Sequence, residues 1–432
     1  MFEKWRKAGA VYFDRRQLIM AGMGFSSGFP FLLVASTLSL WLTEAEVSLK
    51  TIGIFSLVRV PYSFKWLWSP FVDRVSLPFF GRLGRRRGWA IFSQLLLMAA
   101  LAAMAAVNPK EQTGLLMLFA LFTAFASATQ DIVLDAYRVE SFAVKEQGAA
   151  SAVFMIGYRL GTIFSGAGAL VLATFVSWPL VYLLMAAGTL VGVFTVLLAP
   201  EPPEVELAVP LAGNTRWEKF KAFLVRAVKM PLADFVTRPH WVMILLLVML
   251  YKLCDAYMAP MAMPFYSDMG FSKLEIASVT KIYGIVATIA GSLFGGVLVS
   301  RYGLYKSLII GSAAMGLTTL MFSVQSYYGN NIYLLMATIS LDNLAGGMST
   351  TALVAYISAQ CHAAFTATQY ALLSSFMGLL RDALAATSGL VVQAVGWASF
   401  FVFSTLLAVP GLILVTVLAR LEAKPYTAAE NK

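Results

Sequence analysis

The chain has 432 residues, is 59% hydrophobic and only 12% charged, and has a mean hydropathy of +0.76. Water-soluble domains run at roughly 45–50% apolar and about 25% charged residues, so a soluble enzyme or binding module is excluded. The net charge of +10 does not call for nucleic acid, because a multispanning protein concentrates Lys and Arg on its cytoplasmic loops anyway.

A bilayer core about 30 Å thick takes roughly 20 apolar residues per helix. The first apolar segment follows Lys4, Arg6, Lys7, Arg15 and Arg16. It is longer than a signal-peptide core and is not closed by a small-residue cleavage site, so it reads as a retained helix. Spans are predicted at 17–43, 49–72, 88–107, 113–138, 149–174 and 178–199, then at 240–267, 272–299, 305–324, 331–358, 367–393 and 396–420. The expected fold is all-α and membrane-integral, with about twelve helices in two six-helix bundles. Residues 1–199 form the first bundle, 200–239 a polar linker opening with Pro200-Glu201-Pro202-Pro203, and 240–432 the second bundle with a short tail.

Within the linker, Trp217, Phe220, Phe223, Leu224, Ala227 and Val228 share a helical face opposite Arg226 and Lys229. About forty residues bury little core, so a helix lying on the inner membrane surface is expected. With the N-terminus inside, 23 Lys and Arg fall on inner segments and only Lys50, Lys110 and Lys273 on outer loops. Both termini are therefore expected in the cytoplasm.

Cys254 and Cys361 lie over a hundred residues apart, and His240 and His362 fall near span boundaries. Neither pair has ligand spacing, so no disulfide, metal site or cofactor is expected.

Six basic residues remain inside the spans: Arg59, Lys65, Arg159, Lys252, Lys281 and Arg381. Asp131, Asp135, Asp255, Asp342 and Asp382 join them. Each would cost a few kcal/mol or more facing lipid, so together they imply a polar interior. Asp131, Asp135 and Arg138 are spaced i, i+4, i+7 on one face of the fourth span. They form either a salt-bridge ladder ending where Arg138 meets Glu140, or a carboxylate pair that binds protons or orients a substrate.

Arg159, in Gly157-Tyr158-Arg159-Leu160-Gly161, has small neighbours that permit close helix approach. Its guanidinium suits a carboxylate, either of a substrate or of Asp131 or Asp135. Lys252 and Asp255, at i and i+3, are placed to neutralise each other. Adjacent Arg381 and Asp382 point about 100° apart and need different partners. Lys65 is expected to snorkel to the inner boundary, with Tyr62, Trp66 and Trp68 as an interfacial belt. Tyr158, Tyr251 and Tyr257 are the deeper stacking candidates. The halves echo each other in Asp73-Arg74 and Ser300-Arg301, and in Arg159 and Arg381, at offsets of 227 and 222 residues.

The loop Ser69-Pro70-Phe71-Val72-Asp73-Arg74 with Gly84-Arg85-Arg86-Arg87-Gly88 resembles the signature between helices 2 and 3 of the major facilitator superfamily. There an aspartate and arginines brace helix ends across the half interface. Ser300 replaces the aspartate in the second half, so the latch is expected to be one-sided and centred on Asp73. The segments 127–140, 341–348 and 365–372 are similar to the bacterial muropeptide permeases of AmpG type, and the likeness covers nearly the whole chain. The chain's short polar tail after Arg420 matches the twelve-helix form of that family.

The resemblance implies a proton-driven permease of the bacterial inner membrane, active as a monomer. It would import N-acetylglucosaminyl-1,6-anhydro-N-acetylmuramyl peptides for cell-wall recycling, and so would feed β-lactamase induction in some bacteria. Arg59, Gln130, Arg159, Lys252, Lys281, Asn343, Gln369 and Arg381 are the expected substrate contacts, because a muropeptide brings carboxylates, amides and hydroxyls. Asp131 and Asp135 are the expected proton-coupling groups, and Asp73, Arg74, Arg138, Asp255, Asp342 and Asp382 the gating and structural ones. A permease for another anionic solute, such as acetyl-coenzyme A or a sugar-peptide antibiotic, is the alternative. A membrane acyltransferase or hydrolase would need a nucleophile and base constellation that the sequence does not offer.

Overall fold

The computed structural model describes residues 12, 14–203, 218, 225–272, 275–276, 278–385 and 387–422, without the side chains of Lys281, Arg381 and Asp382 among others. It is all-helical over those residues. Nine helical runs among them are long and apolar enough to cross a membrane. These are α1 (Arg15–Glu44), α3 (Arg85–Ala105), α4 (Thr113–Ser141), α5 (Gln147–Ala173), α6 (Trp178–Leu198), α7 (Trp241–Asp268), α8 (Ser278–Tyr302), α9 (Leu304–Tyr328) and the run Ser388–Glu422. Helical residues 49–74 (α2) and Ile332–Ala359 (α10) occupy two more predicted spans, and Thr366–Ala385 begins the eleventh.

The run Ser388–Glu422 is two elements. Gly396 has φ 75 and ψ 171 inside it, a conformation that only glycine adopts without strain. Before it, Thr387 touches Tyr257 and Gly389 lies by Met261. Just after it, Trp397 Nε1 donates to Asp268 Oδ2 at 2.8 Å, and further on Gly411 is back beside Tyr251. The chain therefore reverses at Gly396, giving α11 (366–385 and 388–395) and α12 (397–422). α2 is the irregular span: 3₁₀ turns at Ser56–Arg59 and Lys65–Leu67 alternate with short α-helical pieces that begin around Pro61 and Pro70. Proline removes an amide donor, so regular i→i−4 pairing cannot run through.

Without a hydrophobic drive between helices in lipid, close packing of small residues holds spans together. Gly24 and Gly28 of α1 face Gly157 and Gly161 of α5. A Cβ on any of the four would overlap or crowd the opposite backbone. Gly291 and Gly347 seat α8 on α10 in the same manner, and Gly148 meets Gly296 where α5 crosses to α8. The linker's amphipathic face at Trp217, Phe220, Phe223 and Leu224 lies outside the described residues. What is described there is a π-helical turn at Val225–Lys229 and a short helix at Met230–Val236.

Candidate functional site

One end of the molecule carries the dense Arg and Lys positions. There α2 ends with Asp73 buried and aimed at the start of α11. Its carboxylate accepts from Thr368 N at 2.7 Å, Thr368 Oγ1 at 2.6 Å and Ala367 N at 3.2 Å. The first amides of a helix lack intrahelical partners and sit at its positive end, so a carboxylate is well placed there. Arg86, at the start of α3, donates to Asp73 Oδ1 at 2.7 Å and to Glu140 at 2.9 Å, and all three side chains are buried. Arg74 Nη2 reaches Ala364 O at 2.9 Å.

Arg138 donates to Ser151 at 2.6 Å and to Ser358 of α10 at 3.2 Å, and lies over the Tyr370 ring of α11. Ser300, the second-half counterpart of Asp73, donates only a 3.4 Å bond to Lys145 O. The two halves are thus joined at the basic end, where the buried Asp73 carboxylate binds the start of α11.

Above this floor, α5, α7, α8 and α10 border a cavity lined by Arg159, Lys252, Asp255, Thr288, Asp342 and Asn343. α7 is interrupted between Leu250 and Leu253, which places Lys252 at the break. Its ammonium lies 3.0 Å from Asp255, so these two do neutralise each other. Asn343 donates to Ile339 O at 2.9 Å and accepts from Thr288 at 2.9 Å, which fixes its amide. Among the described residues no carboxylate is within ion-pairing distance of Arg159, which is exposed to the cavity. A guanidinium, an ammonium and a fixed amide suit a solute bearing carboxylates and hydroxyls.

Several expected ligands are engaged elsewhere. Gln130 is buried and donates to Ser26 O at 2.6 Å, bracing α4 on α1. Gln369 is buried too, donating to Pro231 O at 3.1 Å and Asp234 at 2.7 Å while accepting from His362 N at 2.7 Å. It ties the end of the linker to α11. Arg59 borders a separate cavity with Ser36 and Ser39 of α1. Lys281, Arg381 and Asp382 lie outside the described side chains.

On α4, Asp131 accepts from Ser27 Oγ at 2.6 Å, and Asp135 stands 3.7 Å from Lys65 and 3.2 Å from Arg138. Arg138 therefore pairs back along α4 with Asp135 and not with Glu140, which Arg86 takes. Lys65 is buried against Asp135 and does not snorkel. Trp68 turns inward to bond Thr129 at 3.1 Å. Tyr251 and Tyr257 are core residues, bonded to Leu308 O and to Thr387, and offer the cavity no stacking face.

The family profile of the Major Facilitator Superfamily matches residues 17–286 and 245–432. The Escherichia coli K12 anhydromuropeptide permease is 40% identical over 94% of this chain and 80% of its own length. The chain belongs to the major facilitator superfamily, in the group that includes that permease. The putative transporter AmpG 4 of Rickettsia felis is 35% identical over 94% of this chain and 97% of its own.

Among solved structures, the proton:xylose symporter XylE matches with a TM-score of 0.70, at 12% identity, over 93% of this chain and 94% of that one. A variant of the E. coli fucose:proton symporter FucP matches at 0.68 and 12% identity, over 93% and 98%. They share the fold. This family member is accordingly a multi-pass membrane transporter of a small molecule, and not an enzyme.

Three features of the transporter were not foreseen in its sequence. Glu201, just after α6, accepts from Arg86 N at 2.7 Å and Arg87 N at 3.0 Å, capping α3. Thr288 orients Asn343. Asp234 and Arg238 bind Gln369 and each other. The motif Gly84-Arg85-Arg86-Arg87 signalled an important arginine without saying which one. For Asp234, burial pushes the carboxyl up, but the bonds from Gln369 and Arg238 outweigh it and hold it below the usual carboxylate range. A depressed folded-state pKa stabilises above the unfolded value of about 3.9 and stops doing so as pH falls through the folded one. Hydrogen exchange of residues 230–238, corrected for intrinsic rates, should thus be flat above about pH 5 and faster in Asp234→Asn.

Proposed function

We propose that this transporter imports N-acetylglucosaminyl-1,6-anhydro-N-acetylmuramyl peptides across the bacterial inner membrane for cell-wall recycling, by proton-driven alternating access. The observation that carries the reading is the cavity between the halves, faced by Arg159 and Lys252, together with the bonds of Asp73 and Arg138 that join the halves at the basic end. The name of the E. coli relative supports the substrate class. The count of Lys and Arg supports cytoplasmic termini, which makes the joined end the inner gate and this conformation outward-facing. Residues 1–199 and 240–432 act as the two moving bodies, 200–239 as their linker, and one chain suffices.

In this reading Arg159 takes a peptide carboxylate, Lys252, still paired with Asp255, donates to substrate oxygens, and Asn343 and Thr288 hold hydroxyls and amides. Lys281 and Arg381 remain proposed contacts, and Arg59 one within the separate cavity that it borders. Asp135, between Lys65 and Arg138, couples protons to the gate. Its neutralisation frees Arg138, whose bond to Ser358 helps hold the halves together, and Asp131 stands one turn above.

Uptake of labelled anhydromuropeptide into proteoliposomes tests the whole reading. Uptake should rise with an inward proton gradient and be competed by unlabelled disaccharide-peptide, not by acetyl-coenzyme A or a sugar-peptide antibiotic. Arg159→Ala should abolish uptake at undiminished membrane levels. Gradient-independent uptake, or stronger competition by the nucleotide thioester or the antibiotic, would point to another transport mode or solute.

A further inference from the structure

The intramembrane aspartates differ in what balances them. Asp255 has Lys252 at 3.0 Å, Asp135 has Lys65 and Arg138, and Asp131 has the Ser27 hydroxyl. Asp342 of α10 accepts only a 3.3 Å bond from Thr318 of α9. Arg159 of α5 borders the same cavity from the other half. Among the described residues neither Asp342 nor Arg159 has an opposite charge within ion-pairing distance.

The charged and titratable groups around Asp342 are Lys252, Cys254, Asp255 and Tyr266 of α7, with Arg159 across the cavity. α8 brings the neutral Thr288 and Ser292. The cavity therefore holds two acids and two bases; Lys252 pairs with Asp255 and also acts on Asp342, so the two acids share one near cation and Arg159 is the second base.

We propose that Asp342 is the carboxylate that takes up the transported proton, in competition with a substrate carboxylate for the charge of Arg159. An ionised carboxylate at membrane depth is tolerable only with a cation to balance it. In the empty cavity Arg159 and ionised Asp342 balance each other across the space. An entering substrate carboxylate offers Arg159 two parallel hydrogen bonds, and Asp342 and Asp255 are then two anions beside the one charge of Lys252. A proton from the outer solution bonds to a carboxylate oxygen of Asp342 and removes that cost. When the substrate leaves on the inner side, Arg159 returns to Asp342 and the proton is released there.

No bond in the substrate changes, and one proton travels with each substrate carboxylate that Arg159 holds. The carboxylates of α4 at the floor then time the gate, taking up and returning a proton on the same side of the membrane, while Asp342 sets the stoichiometry. This inference rests on the proton-coupled reading above.

Two assays on the purified full chain in proteoliposomes separate the possibilities: accumulation of labelled anhydromuropeptide under an inward proton gradient, and counterflow exchange with equal pH on both sides. Asp342→Asn should keep counterflow and lose accumulation, ending at equal concentrations inside and out. Asp342→Glu should restore accumulation. Normal accumulation by Asp342→Asn overturns the assignment, as does loss of counterflow in both variants, since Asp342 would then hold substrate or structure. Wild-type protein that exchanges but never accumulates would overturn the coupled reading itself and this inference with it.

Discussion

Arg86→Met lowers stability by about 3–5 kcal/mol, the cost of leaving buried carboxylates without their cation. Arg86 is buried, and its guanidinium serves Asp73 and Glu140 together. Methionine roughly preserves the volume and the apolar stem, so the loss isolates charge and hydrogen bonding. Asp73 would keep its amide donors on α11, but Glu140 would lose its cation. Thermal unfolding of the detergent-solubilised protein checks this, with Arg82→Met as the exposed control. Adding Asp73→Asn and Glu140→Gln to Arg86→Met should recover part of the loss, a coupling that a mutant cycle reads directly. Equal midpoints for Arg86→Met and Arg82→Met would remove Arg86 from the centre of the latch. Because Asp73 also caps α11, the same substitution should loosen the contact between the halves at the basic end.

The spans, their number and the polar interior are legible in the sequence because lipid imposes one rule on every helix: backbone bonds satisfied internally and charge turned away from lipid. The glycine pair around Arg159 is legible for the same reason, since small residues four apart mark a close approach. Partnerships across helices are not. Periodicity says which face of α4 carries Asp135, but not that Lys65 of the broken α2 lies opposite. A buried amide looks the same in sequence whether it binds a ligand or braces a neighbour. Gln130 and Gln369 are therefore read as substrate contacts, and in the fold they are braces to Ser26 and to the linker. Glu201 is hidden differently, since it sits between prolines in a loop, where capping a helix over a hundred residues earlier leaves no local pattern.

Gly157→Ala should destabilise the protein by about 1–3 kcal/mol, the usual cost of overpacking a tight contact. Helix propensity alone predicts the opposite sign, because alanine favours a helix interior by about 1 kcal/mol over glycine. The two effects are separated by place. At Gly157 a methyl group would collide with the Ala21 carbonyl of α1 and lie 2.8 Å from Phe25 N, and rigid backbone cannot yield as a side-chain tip does. At Gly114, in the first turn of α4, nothing lies within 4 Å of the added carbon, so Gly114→Ala should be neutral or stabilising. Thermal midpoints of the two variants in detergent test the sign directly, and a rise in both would mean that α1 and α5 are not packed backbone to backbone. The consequence reaches the cavity, because Arg159 stands two residues along the same helix. Whatever parts α5 from α1 also displaces the guanidinium that is proposed to hold the substrate, so Gly157→Ala should lower uptake at matched membrane levels while Gly114→Ala does not. Lower stability with unchanged uptake would separate the glycine contact from the positioning of Arg159 and leave it a purely structural seam.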